Sequence, residues 1–226
     1  MNDRHADSGF TLIEMIITIS VIVILATVAV PNYLGNKMLS NEGAAIGSMR
    51  TILSAQAAFQ GAGAVDQDGD GLSEFGTLRE LTGGVDLPGT GDRVRPPYLP
   101  RSVGNVDAQG RILKSGYYFQ LYLPDATGLG IADITGSRAL VDANTSELHW
   151  CIVAWPVRHG QTGRHAYFLN ERGDLLKSDE AGYSGTANAP PAGCAIVGNT
   201  TPDHLIGTSV AANTVGSDGF RWDVVR

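Results

Sequence analysis

The chain has 226 residues, a formal net charge of -7, a pI near 5.1, 43% hydrophobic and 17% charged residues. That is enough for one globular domain with a true core plus an extended element. An acidic balance without any basic tract argues against a nucleic-acid surface, which needs clustered Lys and Arg, and is compatible with cation binding.

Residues Met1 to Gly9 are polar and carry Asp3, Arg4, His5 and Asp7. From Phe10 to Val30 the chain is apolar, interrupted only by Glu14 and small Thr or Ser residues. As a helix this stretch would span about 31 Å, the hydrocarbon thickness of a bilayer. Its β-branched composition would suggest a buried strand in water. In lipid, where backbone groups must be satisfied internally, a helix is the available answer. A secretory signal peptide would place its small-residue cleavage site after the apolar run, whereas Gly9 stands before it. A carboxylate inside a spanning segment costs a few kcal/mol, so Glu14 calls for a partner. The plain structural alternative is a Glu snorkelling at the membrane edge.

Pro31 removes a backbone donor and is expected to kink the helix, and Gly35 adds a weak point. Helical periodicity then resumes. Leu34, Met38, Ala45, Met49, Ile52 and Phe59 form one apolar stripe, widened by Ile46 and Leu53. The stripe should pack onto a globular head. The helix is predicted to span residues 10–60 and to end where Gly61-Ala62-Gly63 follows. Residues 61–226 would form the head.

Next comes Asp66-Gln67-Asp68-Gly69-Asp70-Gly71-Leu72-Ser73-Glu74, which matches the first part of a calcium loop, D-x-D-x-D-G. Alternating carboxylates set oxygens around one hard cation, Gly71 permits the sharp turn, Leu72 would offer its carbonyl, and Glu74 falls at the ninth loop position. The twelfth position is Thr77, so the usual bidentate Glu is missing and a standard EF-hand is excluded. The reading adopted is a Ca2+ loop with Asp66, Asp68, Asp70, Leu72 and Glu74 as ligands, completed from elsewhere in the fold. The alternative is a solvated acidic turn, which Asp and Gly favour in any case.

Strands are expected at Tyr117–Leu123, ending at Pro124, at Trp150–Val157, at His165–Asn170, and, after the turn Glu171-Arg172-Gly173-Asp174, at Leu175–Lys177. Strands gathered after one long helix give an α+β class with a small antiparallel meander. Residues 178–219, rich in Gly, Ala, Asn, Thr and Ser, read as irregular surface loop. Trp150, Trp155 and Trp222 are expected in the core or at its rim. Cys151 and Cys194 can form one disulfide or remain two buried thiols. Spacing does not decide between these, and the compartment does.

Gly9-Phe10-Thr11-Leu12-Ile13-Glu14, the apolar run and Pro31 together closely resemble the class III leader of type IV prepilins and type II secretion pseudopilins. That resemblance implies cleavage between Gly9 and Phe10 by a prepilin peptidase, N-methylation of Phe10, and roles for Glu14 and Pro31 in assembly. Glu14 would pair with the α-amino group of Phe10 on a neighbouring subunit. The implied partners are identical or related pilin subunits, the peptidase, an inner-membrane assembly platform and membrane lipid. The implied location is a bacterial inner membrane, crossed once with the head in the periplasm, and then a periplasmic or extracellular filament. The oxidising periplasm would pair Cys151 with Cys194. In the same family calcium stabilises the heads of major pseudopilins, usually from a later loop.

No phosphate loop, dinucleotide fingerprint, G-x-S-x-G elbow or H-E-x-x-H spacing occurs in the chain. Three functions therefore compete. A structural filament subunit ranks first. A minor pilin or adhesin whose head binds a surface or substrate is second. A membrane-tethered enzyme is third, and the lack of a catalytic constellation counts against it.

Overall fold

The protein is described here by a computed structural model in which residues 10–199 and 201–225 are placed. The leader, residues 1–9 with Gly9, lies outside the described residues. The chain divides into two compact units, Met1–Lys37 and Met38–Arg226.

One long helix, α1 (Leu12–Gly61), contributes to both units. In the first unit every side chain from Leu12 to Val30 is exposed. Its few hydroxyls bond back to the helix's own carbonyls: Thr18 to Glu14 and Met15 (2.9 Å each), Ser20 to Ile16 (2.7 Å) and Thr27 to Ile24 (2.7 Å). Polar side chains thus need no outside partner, which is what tolerates them in an apolar segment. Pro31 and Gly35 lie inside α1, which continues past both.

In the second unit the apolar stripe is buried. Met38, Ala45, Met49, Ile52, Ala55 and Phe59 face the core, joined by the polar Glu42 and Gln56. After α1 the chain forms α2 (Leu78–Leu81), β1 (Arg111–Lys114), β2 (Tyr117–Pro124), β3 (Gly130–Ala132), α3 (Ala143–Ser146), β4 (Cys151–Pro156), β5 (Ala166–Asn170) and β6 (Leu175–Ser178). The last elements are β7 (Ile196–Val197), β8 (Ser209–Val210), β9 (Thr214–Val215) and β10 (Arg221–Val224). The main sheet runs β1-β2-β4-β5-β6-β10-β9, with β3 also pairing β2, and β7 and β8 form a separate ribbon. All named pairs are antiparallel, with Phe119 opposite Ala154 and Val153 opposite Phe168. The architecture is α+β, and the central meander β2-β4-β5-β6 lies where the apolar and aromatic runs predict it.

The sheet is buried on both faces, and its side chains sort by the two-residue period of strands. Tyr117, Phe119, Leu121, Ile152, Ala154, Tyr167 and Leu169 point into one core, which includes Met49, Ile52 and Phe59 of α1. Their neighbours Cys151, Val153, Trp155, Phe168 and Leu176 point into a second core with Tyr183, Cys194, Ile196, Leu205 and Trp222. The expectation of a surface loop over 178–219 is therefore corrected. That segment forms a covering layer, and it buries Ala192, Cys194, Ala195 and Ala211 against the sheet. Small residues suit it, because they let backbone lie close to the sheet without large side chains. All three tryptophans are at most 1% exposed.

Candidate functional site

Two groups of residues carry the chemistry anticipated from sequence, one in each unit. In the first, Thr11 and Glu14 bracket the start of α1. Glu14 Oε2 accepts from the Thr11 amide (3.0 Å) and from the Thr11 hydroxyl (2.8 Å), while the Glu14 amide donates to Thr11 Oγ1 (3.3 Å). This is the reciprocal arrangement of a capping box. The pattern T-x-x-E was legible in the sequence but was read there only as part of a longer motif. The carboxylate thus caps its own helix. Phe10, one residue before this cap, is 75% exposed. A capping role needs only an acceptor. Charge pairing with an amine needs the anion. The two roles are chemically separable.

In the second unit the loop after α1 turns on Gly69 and Gly71, both in the left-handed region (φ 75° and 91°), where glycine is the least strained residue. The carboxylates of Asp66, Asp68 and Asp70 each offer an oxygen within 4.8 Å of the others. Asp66 caps the amides of Gly69 (2.7 Å) and Gly71 (3.2 Å), and Asp70 that of Leu72 (2.8 Å). The side chain of Leu72 is exposed. Glu74 is fully buried: Oε1 accepts from the Gln67 amide (3.0 Å) and Gln67 Nε2 (3.2 Å), while Oε2 has no partner.

A carboxylate that sequence reasoning missed adjoins this loop. Glu147, just after α3, is 7% exposed, and its Oε1 is buried and unpartnered. The backbone holds it there. Gln60 of α1 donates through Nε2 to both Ser73 O (2.9 Å) and Glu147 O (2.7 Å), and the Phe75 amide donates to Ser146 O (2.9 Å). Burial raises the Glu147 pKa, and Asp70, Asp68, Glu74 and Asp66 raise it further. It lies far from the loop in the sequence, so no local spacing could have revealed it.

Deeper anchoring comes from α1. Gln56 bonds both backbone groups of Gly76 (2.7 and 2.9 Å), and Gly76 must be glycine because a Cβ there would meet the Phe59 ring at 2.9 Å. Glu42 accepts from the Arg164 amide (2.7 Å) and lies 3.1 Å from His165 Nδ1, whose Nε2 lies 2.9 Å from Asp179. Burial opposes ionisation of Glu42, but these bonds together hold its pKa below the usual range.

Cys151 and Cys194 are both buried, in the second core, and both are free thiols in the structure. Cys151 Sγ donates to Ala192 O (2.9 Å). Burial pushes both thiols up from their ordinary pKa.

Residues 4–30 match the family model described as the Prokaryotic N-terminal methylation motif. Residues 4–30 thus carry the class III prepilin-type motif, and the long helix followed by an antiparallel sheet is a pilin-like α+β architecture. The motif marks the chain as a pilin-like substrate of prepilin peptidase. No curated protein and no solved structure matches the chain.

Proposed function

We propose that this chain is a structural subunit of a type IV filament, either a pilus or a type II secretion pseudopilus, and that it has no catalytic role. Prepilin peptidase would cut between Gly9 and Phe10 and methylate the Phe10 amine. The protein would wait as a single-pass inner-membrane protein with its head in the periplasm. An assembly platform would then draw the helix from lipid into a filament of like subunits.

The observation that carries this reading is the first part of α1. It is the one helix among the described residues long and apolar enough to cross a membrane, and none of its apolar window is buried. Glu14 is the sole formally charged residue from Phe10 to Val30. In a lipid-like filament core, an anion and the methylated amine of a neighbour's Phe10 attract strongly because the dielectric is low. Pairing would relieve the burial penalty of both and fix the axial stagger.

A second reading, a minor subunit or adhesin, draws support from the covering layer over 178–219, which gives the head more surface than a helix and meander alone. Deleting the gene and scoring piliation, twitching and protein secretion together tests the proposal. Loss of one filament-dependent phenotype is expected, and its abundance in purified filaments separates major from minor subunit. No defect in any of the three would overturn the reading.

A further inference from the structure

The acidic loop and Glu147, which come from two distant segments, border one pocket. Asp66, Asp68 and Asp70 converge within 4.8 Å. By itself such a turn is an exposed acidic patch. Two further features set it apart. Glu74 and Glu147 each keep one buried carboxylate oxygen with no hydrogen-bond partner, although both side chains are more than nine-tenths buried. A buried carboxylate oxygen without a partner is costly, and such groups in native folds are explained by water or an ion. Glu147 also lines an open pocket together with Gly71, Leu72 and Ser73 of the loop. None of the five carboxylates makes an ion pair with Lys, Arg or His among the described residues.

We propose that this is a single Ca2+ site, ligated by Asp66, Asp68, Asp70 and the Leu72 carbonyl from the loop and closed from across the fold by Glu147, with Glu74 Oε2 beside it.

Glu147 here takes the place of the acidic residue that the loop lacks at Thr77. An EF-hand finds its closing carboxylate twelve residues along the same loop. This fold reaches it through space, by means of Gln60, which holds the Ser73 and Glu147 carbonyls on one amide. Oxygen-only ligands select a hard cation over zinc. Long carboxylates from a turn and a remote segment suit the loose, larger shell of Ca2+ better than the rigid octahedron of Mg2+. Without the cation five carboxylates repel one another. Bound Ca2+ would tie the end of α1, the loop and the segment after α3 into one unit.

The test uses the full chain in detergent, with Ca2+ added as the chloride or removed by EGTA. Calorimetric titration should give one Ca2+ per chain, with Kd in the range of about 10⁻⁶–10⁻³ M typical of sensor and extracellular sites. The melting temperature should rise with Ca2+ and respond far less to equal Mg2+. Glu147→Gln should weaken Ca2+ binding at least tenfold, yet melt in EGTA at or above the wild-type temperature, because a repelled charge is gone. Asp68→Asn changes an exposed side chain and keeps an acceptor for the Asp70 amide, and it should weaken binding to a similar degree. No binding by the wild type would overturn the proposal. Wild-type affinity in Glu147→Gln would overturn the cross-fold closure, and wild-type affinity in Asp68→Asn would overturn the loop as ligand. Should Glu147→Gln fail to fold, Glu147→Asp, which keeps the charge but shortens the reach, decides the closure by the same criterion.

Discussion

From Leu12 to Val30 every residue of α1 is exposed, whereas from Met38 to Phe59 eight are buried. The two stretches belong to one helix, yet their sequences encode opposite environments. The first is apolar on all sides and has no stripe, as lipid or a filament core demands. The second confines its apolar residues to one face and uses polar residues inside that face, Glu42 and Gln56, to bond backbone elsewhere in the head. Total hydrophobicity therefore does not locate the core of this protein. Periodicity does.

The largest expected effect lies in the first stretch. Glu14→Val should insert in the membrane normally and fail to assemble filaments. Glu14→Gln keeps an acceptor for the capping box with Thr11 but removes the anion. Assembly lost in both variants assigns the role to charge, and assembly kept in Glu14→Gln assigns it to capping. Electron microscopy of sheared filaments reads the outcome.

The same comparison predicts a sharp contrast in stability. Phe59→Ala, which empties a fully buried site beside Tyr98 and Gly76, should destabilise the head by about 3–5 kcal/mol. Ile19→Ala, at an exposed position, should leave denaturant unfolding of the head in detergent unchanged. A comparable loss at Ile19 would show that the two stretches are not energetically distinct.

We further propose that export to the periplasm oxidises Cys151 and Cys194, which share the second core, to one disulfide. Closing that loop would add about 4 kcal/mol in the chain-entropy model, less any strain. Non-reducing peptide mapping of periplasm-exposed protein should find the pair, and two alkylatable thiols would reject it.

Smaller effects attach to single carboxylates. Glu42→Ala removes the acceptor of the Arg164 amide and the neighbour of His165, and should cost about 1–3 kcal/mol. Because the folded state holds the Glu42 pKa down, its contribution is present above the ordinary carboxylate range and is lost as pH falls through the lowered folded value. Glu147 behaves in the opposite sense. Its folded pKa is raised, so the folded state binds the extra proton, and stability in EGTA should fall as pH rises from the ordinary carboxylate range through the raised value. Saturating Ca2+ should flatten that slope. Melts across pH with and without chelator measure both.

The long helix was legible from its length and composition, its stripe from the helical period, and the four central strands from short apolar and aromatic runs bounded by turn residues. The T-x-x-E cap and the D-x-D-x-D-G turn were equally local. What escaped the sequence was everything set by contact across the fold. The apolar run Trp150 to Trp155 was read as a strand without its two-sided burial, and the small residues of 178–219 gave no sign that they supply the second cover. The pairs β7-β8 and β9-β10 are too short to show alternation. Glu147 sits in a segment with no motif, and it is brought to the loop by contacts across the fold, the Gln60 bridge and the Phe75–Ser146 backbone bond.

Processing of the N-terminal segment as a prepilin is tested most directly by intact-mass spectrometry of the membrane-extracted protein. The expected mass is that of a chain beginning at Phe10, lacking residues 1–9 and carrying one added methyl group on its N-terminal amine. A chain that retains Gly9 before Phe10, or that is cut after the apolar run, would contradict it.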